Sequence, residues 1–265
     1  MFKKLWLVLL PVLASGILVG KADALDDALA RGVLRVSTEP GNYPFTFEDP
    51  VTGEPTGITI DIVRMYCEEL GIKLEVVWFD WAGVIPALLT GKVDMVAAPL
   101  SRTVPRSARI LYTDPYIMAP GGAVARKGRF KSLEELNSPG VILTTTAGSI
   151  HEEVGRKLFP KAQMMPVPTV ADHNAALLAG RADAILTDKY FVGAALVAQY
   201  PDLLELLPGY TFMDSFAFAV RYDSWKLWAS FNVFLRLIKL DGRYGELYKK
   251  WVGIDWEPVY LEHGL

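Results

Sequence analysis

The chain has 265 residues, 51% hydrophobic and 22% charged, with a formal net charge of −3. That apolar content is enough for real cores and, with 22 Gly and 17 Pro, excludes disordered and fibrous classes. The mildly acidic balance argues against a nucleic-acid partner, which would need a basic face; one Cys and three scattered His exclude a disulfide framework and a thiolate-rich metal site, so no metal or cofactor is expected.

At the N-terminus, Lys3 and Lys4 form a basic start, Leu5 to Gly20 is mostly apolar, and Ala22-Asp23-Ala24 is a small-x-small cleavage pattern. This order predicts a secretory signal peptide over residues 1–24, removed after Ala24. A membrane anchor is the alternative, but the 16-residue run, broken by Pro11, Ser15 and Gly16, falls short of the ~20 residues that span a bilayer. No later segment approaches that length, so a soluble periplasmic product is expected.

The periodic segments begin with a strand at Val33–Thr38, a helix at Asp61–Leu70, a strand at Leu74–Val77, a helix at Val84–Leu89 and a strand at Val93–Ala97. Asp61 is expected to cap its helix, and Cys67 to be an inert buried thiol. Strand Val141–Thr144, helices His151–Leu158 and Val170–Ala179, and strand Ala184–Thr187 continue the pattern. Ser224–Leu240 is a long helix whose Phe231, Phe234, Leu235 and Ile238 form a stripe for the core. Such alternation predicts an α/β fold of mostly parallel sheets flanked by helices.

One stretch is written twice. Ala87-Leu88-Leu89-Thr90-Gly91-Lys92-Val93-Asp94 is echoed by Ala176-Leu177-Leu178-Ala179-Gly180-Arg181-Ala182-Asp183. In each copy an apolar helix ends at a glycine suited to the left-handed turn, and a basic residue, an Asp and a strand follow. The echo predicts two similarly built lobes, with Asp94 and Asp183 fixing the turns before their strands. The strands end at Ala98-Pro99 and Thr187-Asp188, and open α/β sheets bind ligands beyond such ends. Two apolar extended runs, Ile117–Ala125 and Ser215–Val220, read as crossings between lobes. The first lobe is then discontinuous, 25–119 plus 214–265, with 120–213 as the second, an arrangement suited to hinge closure.

Further motifs run along the chain: Gly32-Val33-Leu34-Arg35-Val36, Tyr43-Pro44-Phe45, Gly57-Ile58-Thr59-Ile60-Asp61, Trp81 with Ile85-Pro86-Ala87-Leu88, and Ser101-Arg102-Thr103-Val104-Pro105-Arg106. Asp114-Pro115-Tyr116 and Asp241-Gly242 through Lys250-Trp251-Val252-Gly253 complete them. In this order and spacing the chain resembles the family-3 bacterial extracellular solute-binding proteins, the polar amino-acid receptors of ABC importers. The resemblance implies a two-lobed periplasmic-binding-protein fold of type II. It also implies a non-enzymatic, monomeric receptor that captures an amino acid or related small zwitterion and delivers it to a membrane permease.

The chemistry asks for an anion site, a cation site and a selective wall. In Ser101-x-Thr103-x-x-Arg106, a guanidinium can hold a carboxylate through two parallel charge-assisted bonds, and the N–H groups of a following helical turn favour the same anion. The family's arginine at this place binds the ligand α-carboxylate, which the resemblance carries to Arg106. It likewise carries the α-amino contact to Asp188, which could instead, or in addition, cap the following helix. Ala147-Gly148-Ser149-Ile150 resembles the second lobe's glycine-hydroxyl loop, with Ser149 as donor and Ile150 standing where a second hydroxyl is common. Pro99 has no N–H but offers a carbonyl to an ammonium. Glu39, Asn42, Tyr43, Phe45 and Trp81 occupy positions near the family's pocket, where Phe45 and Trp81 could equally serve packing.

An exported enzyme similar to the cyclohexadienyl dehydratases is the alternative. It would need an acid to protonate a leaving hydroxyl, and Glu152 is the obvious candidate. The Gly-Gly-Thr-Asn-Glu element expected of those enzymes is replaced by Ala147-Gly148-Ser149-Ile150-His151-Glu152. His151, His173 and His263 suggest no cluster.

Overall fold

The computed structural model describes residues 22–253, 255 and 256; the basic start and apolar run of the expected signal peptide lie outside them. Asp23 and Ala24, on the leader side of the expected break, are among the described residues. Asp23 caps helix α1 (Ala24–Arg31), accepting from the Leu25 N–H at 2.9 Å. The same carboxylate accepts from the N–H groups of Lys226 at 2.7 Å and Leu227 at 3.1 Å, at the start of a second helix. Ala24 is itself buried. Without Asp23, N–H groups at two helix starts would lose this acceptor.

The first lobe continues through β1 (Val33–Thr38), the short pair β2 (Phe47–Glu48) and β3 (Pro55–Thr56), α2 (Ile58–Leu70), β4 (Lys73–Trp78), α3 (Trp81–Leu89) and β5 (Met95–Ser101). A four-residue helix α4 (Val104–Ser107) and the short strands β6 (Leu111–Tyr112) and β7 (Ile117–Met118) precede the crossing. The second lobe holds β8 (Gly121–Arg126), β9 (Ile142–Thr146), α5 (Ile150–Leu158), β10 (Gln163–Val167), α6 (Val170–Leu178), β11 (Ala184–Asp188), α7 (Ala194–Gln199) and β12 (Leu204–Leu206). The chain then returns as β13 (Ser215–Val220), α8 (Trp225–Leu240) and α9 (Arg243–Val252).

Each lobe centres on three parallel strands, β4-β1-β5 in one and β10-β9-β11 in the other. The crossing strands run antiparallel to these: β13 lies beside β5, and β8 beside β11. A crossing strand arrives from the other lobe, so it enters its sheet against the direction set by the helical crossovers. The mixed sheets follow from the connectivity.

The repeated stretch makes the same bonds twice. Asp94 donates its N–H to the Arg35 carbonyl and accepts from the Arg35 N–H; Asp183 does both with Ile142. Each aspartate thus ties the incoming strand to its central neighbour, and each also holds arginine, Arg31 and Arg35 at Asp94 and Arg129 at Asp183. Asp61 behaves differently from expectation. Gly57 stands at the N-cap of α2, and Asp61 sits in the first turn, accepting from Arg64, Lys250 and the Trp251 indole. Its carboxylate locks α9 onto α2. At Gly57, with φ of +116°, a Cβ would fall 2.2 Å from the Phe45 carbonyl oxygen, so only glycine admits this approach.

The first lobe's core does not stop at its own boundary. Phe45, fully buried, packs edge-on against Phe216 at 5.3 Å and against Phe191 of the second lobe at 5.1 Å. Cys67 is buried in this core, where desolvation pushes its thiol up to about 12. Among the described residues no helix is long and apolar enough to cross a membrane.

Candidate functional site

The C-terminal ends of the central strands face one another across a cleft. Pro99 and Ser101 of β5 stand on one side, and Thr145 and Thr146 of β9 with Thr187 and Asp188 of β11 on the other. Between them lies a cavity of about 50 Å³. Six of the eight expected site residues line it: Glu39, Trp81, Pro99, Ser101, Ser149 and Asp188. The other two do not.

Tyr43 is half-exposed and packs on Phe47, outside the cavity. The turn that carries it directs Asn42 and Phe45 inward instead. Arg106 lies beside the cavity, in an adjoining hollow shared with Trp81 and Gly148. Its Nη1 donates to the Ser101 carbonyl at 3.2 Å and its Nη2 crosses the cleft to the Gly148 carbonyl at 3.1 Å. The guanidinium carbon rests 5.7 Å from the Trp81 ring centre, and the Trp81 indole donates to the same Gly148 carbonyl at 3.4 Å. The helical turn expected after Ser101 is only the four-residue α4, and Thr103 caps it by accepting from the Arg106 N–H at 3.3 Å.

Asp188 does cap, and does line the cavity. One carboxylate oxygen accepts from the N–H groups of Phe191 and Val192 at 3.0 and 2.9 Å, opening the single wide turn Lys189–Gly193 that leads into α7. Burial nevertheless pushes the Asp188 carboxyl up to about 7, against those two bonds and with the Asp214 charge adding to the rise. Glu39 is also raised to about 7, by burial first, against the bond from the Asn42 amide and with help from Asp80. Ser149 caps α5, accepting from the Glu152 N–H at 3.3 Å. No Lys or Arg is among the described residues lining the cavity, so the two buried acids face it uncompensated.

The sequence reading missed two histidines. His151 in the first turn of α5 and His173 in α6 both line the cavity, and Nδ1 of each is buried without a hydrogen-bond partner. Burial holds both rings neutral. It lowers His151 to about 3, with His173 and Arg106 adding to the effect, and His173 to about 4 against Asn174 and Asp172. Position after the glycine loop was the available signal for His151; nothing local marks His173. Thr145, Thr146, Thr187, Val170, Val192 and Phe216 also belong to the wall.

Two lobes, joined by two crossings and meeting around a cavity at their facing strand ends, define a type II solute-binding fold. The chain belongs to the bacterial extracellular solute-binding proteins, family 3, whose sequence model matches residues 34–254. It is 25% identical to a cyclohexadienyl dehydratase of Pseudomonas aeruginosa over 260 residues, covering 96% of this chain and 95% of that one. Among solved structures, an ancestral amino-acid-binding protein described as a precursor of cyclohexadienyl dehydratase matches at 34% identity and a TM-score of 0.81, over 87% of this chain and 100% of that one. A binding component of an ABC transporter from Wolinella succinogenes, complexed with lysine, matches at 31% identity and a TM-score of 0.79, over 88% and 99%.

Proposed function

We propose that this protein is a periplasmic receptor that captures an amino acid with a cationic side chain between its lobes and delivers it to an ABC-type permease. The observation that carries the reading is the pair of buried acids, Glu39 and Asp188, in a cavity lined, among the described residues, by neither Lys nor Arg. A cation is what such a cavity lacks. Asp188 is positioned for the ligand's α-ammonium, with the Pro99 carbonyl as a second acceptor, and Glu39 for the positive side chain. The ligand carboxylate falls to Ser101, Ser149 and the start of α5, with Arg106 moving off the Gly148 carbonyl to join them. The lysine-bound relative supports this class of ligand. Residues 25–119 with 214–265 form one jaw and 120–213 the other, and the crossings act as hinges.

The test is calorimetric titration of the exported protein with the twenty amino acids. Saturable binding of arginine or lysine is expected, and absence of binding by any amino acid overturns the receptor.

The dehydratase resemblance gives the second reading, an enzyme acting on a small carboxylic acid. Its proposed acid, Glu152, is not suited to the role. Burial raises its carboxyl, but the Gly148 N–H at 2.8 Å and the Arg156 guanidinium at 2.8 Å outweigh burial and hold it below the usual carboxylate range. A carboxylate so engaged holds no proton to give at neutral pH. Incubation with prephenate or arogenate should yield no aromatic product; turnover would displace the receptor reading.

A further inference from the structure

We propose that His151 and His173 determine which side chain the cleft accepts, selecting a flat, N–H-rich cation such as a guanidinium over a primary ammonium. This rests on the cationic ligand proposed above and adds the residues that discriminate within that class.

The two imidazoles come from different helices of the second lobe and reach one cavity with Glu39 and Asn42 of the first. His173 is only 2% exposed, and the Nδ1 of both rings lacks a partner. On the opposite wall the Asn42 amide donates to Glu39 at 2.8 Å, which leaves Asn42 Oδ1 buried and also unpartnered. Polar atoms left unpaired in a closed cavity are costly unless a ligand meets them. Four groups on two walls are thus left to one guest: a carboxylate, an amide oxygen and two imidazoles, to each of which we assign the tautomer whose Nδ1 accepts.

The chemistry of the guest follows. An ammonium presents three donors from one point, whereas a guanidinium spreads five over a plane. Acceptors shared between opposing walls match the second better. A neutral imidazole can accept without repelling a cation. Both rings are held neutral by burial, and His151 also by His173 and Arg106. The charged groups facing the pair are Glu39 and Asp188 in the cavity, Asp172 beside His173, and Arg106. The His151 ring is further held by Phe212, with centres 5.2 Å apart, and Phe212 bridges Gly121 at the crossing between lobes. Its orientation is therefore coupled to the hinge.

The experiment is titration of the full exported chain with arginine, lysine and glutamine, for the wild type, His173→Leu, His151→Phe and His173→Gln. The wild type should prefer arginine to lysine. His173→Leu and His151→Phe should each cut that preference about tenfold, the effect expected of losing a hydrogen bond to a charged group. His173→Gln, which keeps an acceptor, should restore most of it. A wild type that prefers lysine, or folded His173→Leu and His151→Phe proteins that keep the arginine-to-lysine ratio, overturns the proposal while leaving a cationic receptor intact. A wild type that binds neither arginine nor lysine removes the cationic reading itself. If the apolar variants do not fold, nitrogen-15 spectra of the wild-type imidazoles decide. Arginine should shift both ring signals more than lysine does, and identical spectra with the two ligands refute the assignment.

Discussion

Arg106 and Gly148 meet across the cleft. The guanidinium, rooted in the first lobe through the Ser101 carbonyl, donates to a backbone carbonyl in the loop that opens α5 of the second. A neutral carbonyl is a weaker partner for a guanidinium than a carboxylate is. An incoming ligand carboxylate near Ser149 can therefore exchange with it while Arg106 remains a bridge between lobes. Arg106→Lys keeps the charge but loses the planar fork, and should weaken amino-acid binding about tenfold or more by calorimetry. Unchanged affinity would leave Arg106 as a purely structural latch.

The titrating groups of the cavity pull stability in opposite directions. Glu39 and Asp188, raised to about 7, bind protons more readily in the fold than in the open chain. The folded state thus carries more protons between about 4 and 7, and each acid costs stability as pH rises through that window. His151 and His173, lowered to about 3 and 4 from 6.5, do the reverse: the open chain takes the protons, and stability is lost as pH falls below 6.5. Melting of the ligand-free wild type should therefore vary little from about pH 4.5 to 6.5, whereas His173→Gln should melt progressively lower as pH rises over that range. Parallel profiles for the two proteins would contradict the assigned directions.

The same acids make ligand binding proton-linked. A cation binds their ionised forms, so arginine affinity should climb as pH rises through about 7 and level off about one unit above. Glu39→Gln should flatten part of that rise and lower the affinity at neutral pH. Calorimetry across pH checks both, and a pH-independent affinity would exclude a cation beside Glu39.

Legibility in the sequence followed how local each cause was. The doubled helix-glycine-aspartate stretch could be read because its glycines turn the chain within a few residues, with φ of +74° at Gly91 and +71° at Gly180. The strand end at Asp188 followed from the same periodicity, whereas the first copy's strand, expected to end at Ala98-Pro99, runs on to Ser101. Asp61 misled because a carboxylate near a helix start looks like a cap, whereas its partners Lys250 and Trp251 arrive from the far end of the chain. The histidine pair was invisible for a like reason. Two different helices of the second lobe carry the rings to one cavity, and no spacing within either helix encodes that.

Asp23 serves two helices at once. Replacing it with Ala removes the acceptor for Leu25, Lys226 and Leu227 N–H groups. N-cap losses run to about 0.5–2 kcal/mol, and two helix starts are involved here, so Asp23→Ala should cost about 2 kcal/mol in urea unfolding. A loss under about 0.5 kcal/mol would show that water replaces the carboxylate at both ends.

Gly121 and Gly245 give opposite outcomes from the same substitution. At Gly121, in the crossing, an added Cβ would lie 2.4 Å from the Phe212 ring and 2.6 Å from Thr211 Oγ1. The backbones of these residues are bonded: the Gly121 N–H donates to Phe212 and its carbonyl accepts from Thr211, so neither strand can simply retreat. The Phe212 ring must give way, and with it the packing against His151. Gly121→Ala should cost about 1–3 kcal/mol by overpacking and also weaken ligand binding. At Gly245, inside α9, a Cβ meets nothing within 4 Å, and alanine gains helix propensity and loses unfolded-chain freedom. Gly245→Ala should stabilise by about 0.5–1 kcal/mol and leave affinity unchanged. Denaturant titration and calorimetry on the two variants separate the effects. A Gly121→Ala protein of wild-type stability and affinity would show that the crossing is loose enough to absorb a methyl group, which would remove the coupling between Phe212 and the cleft.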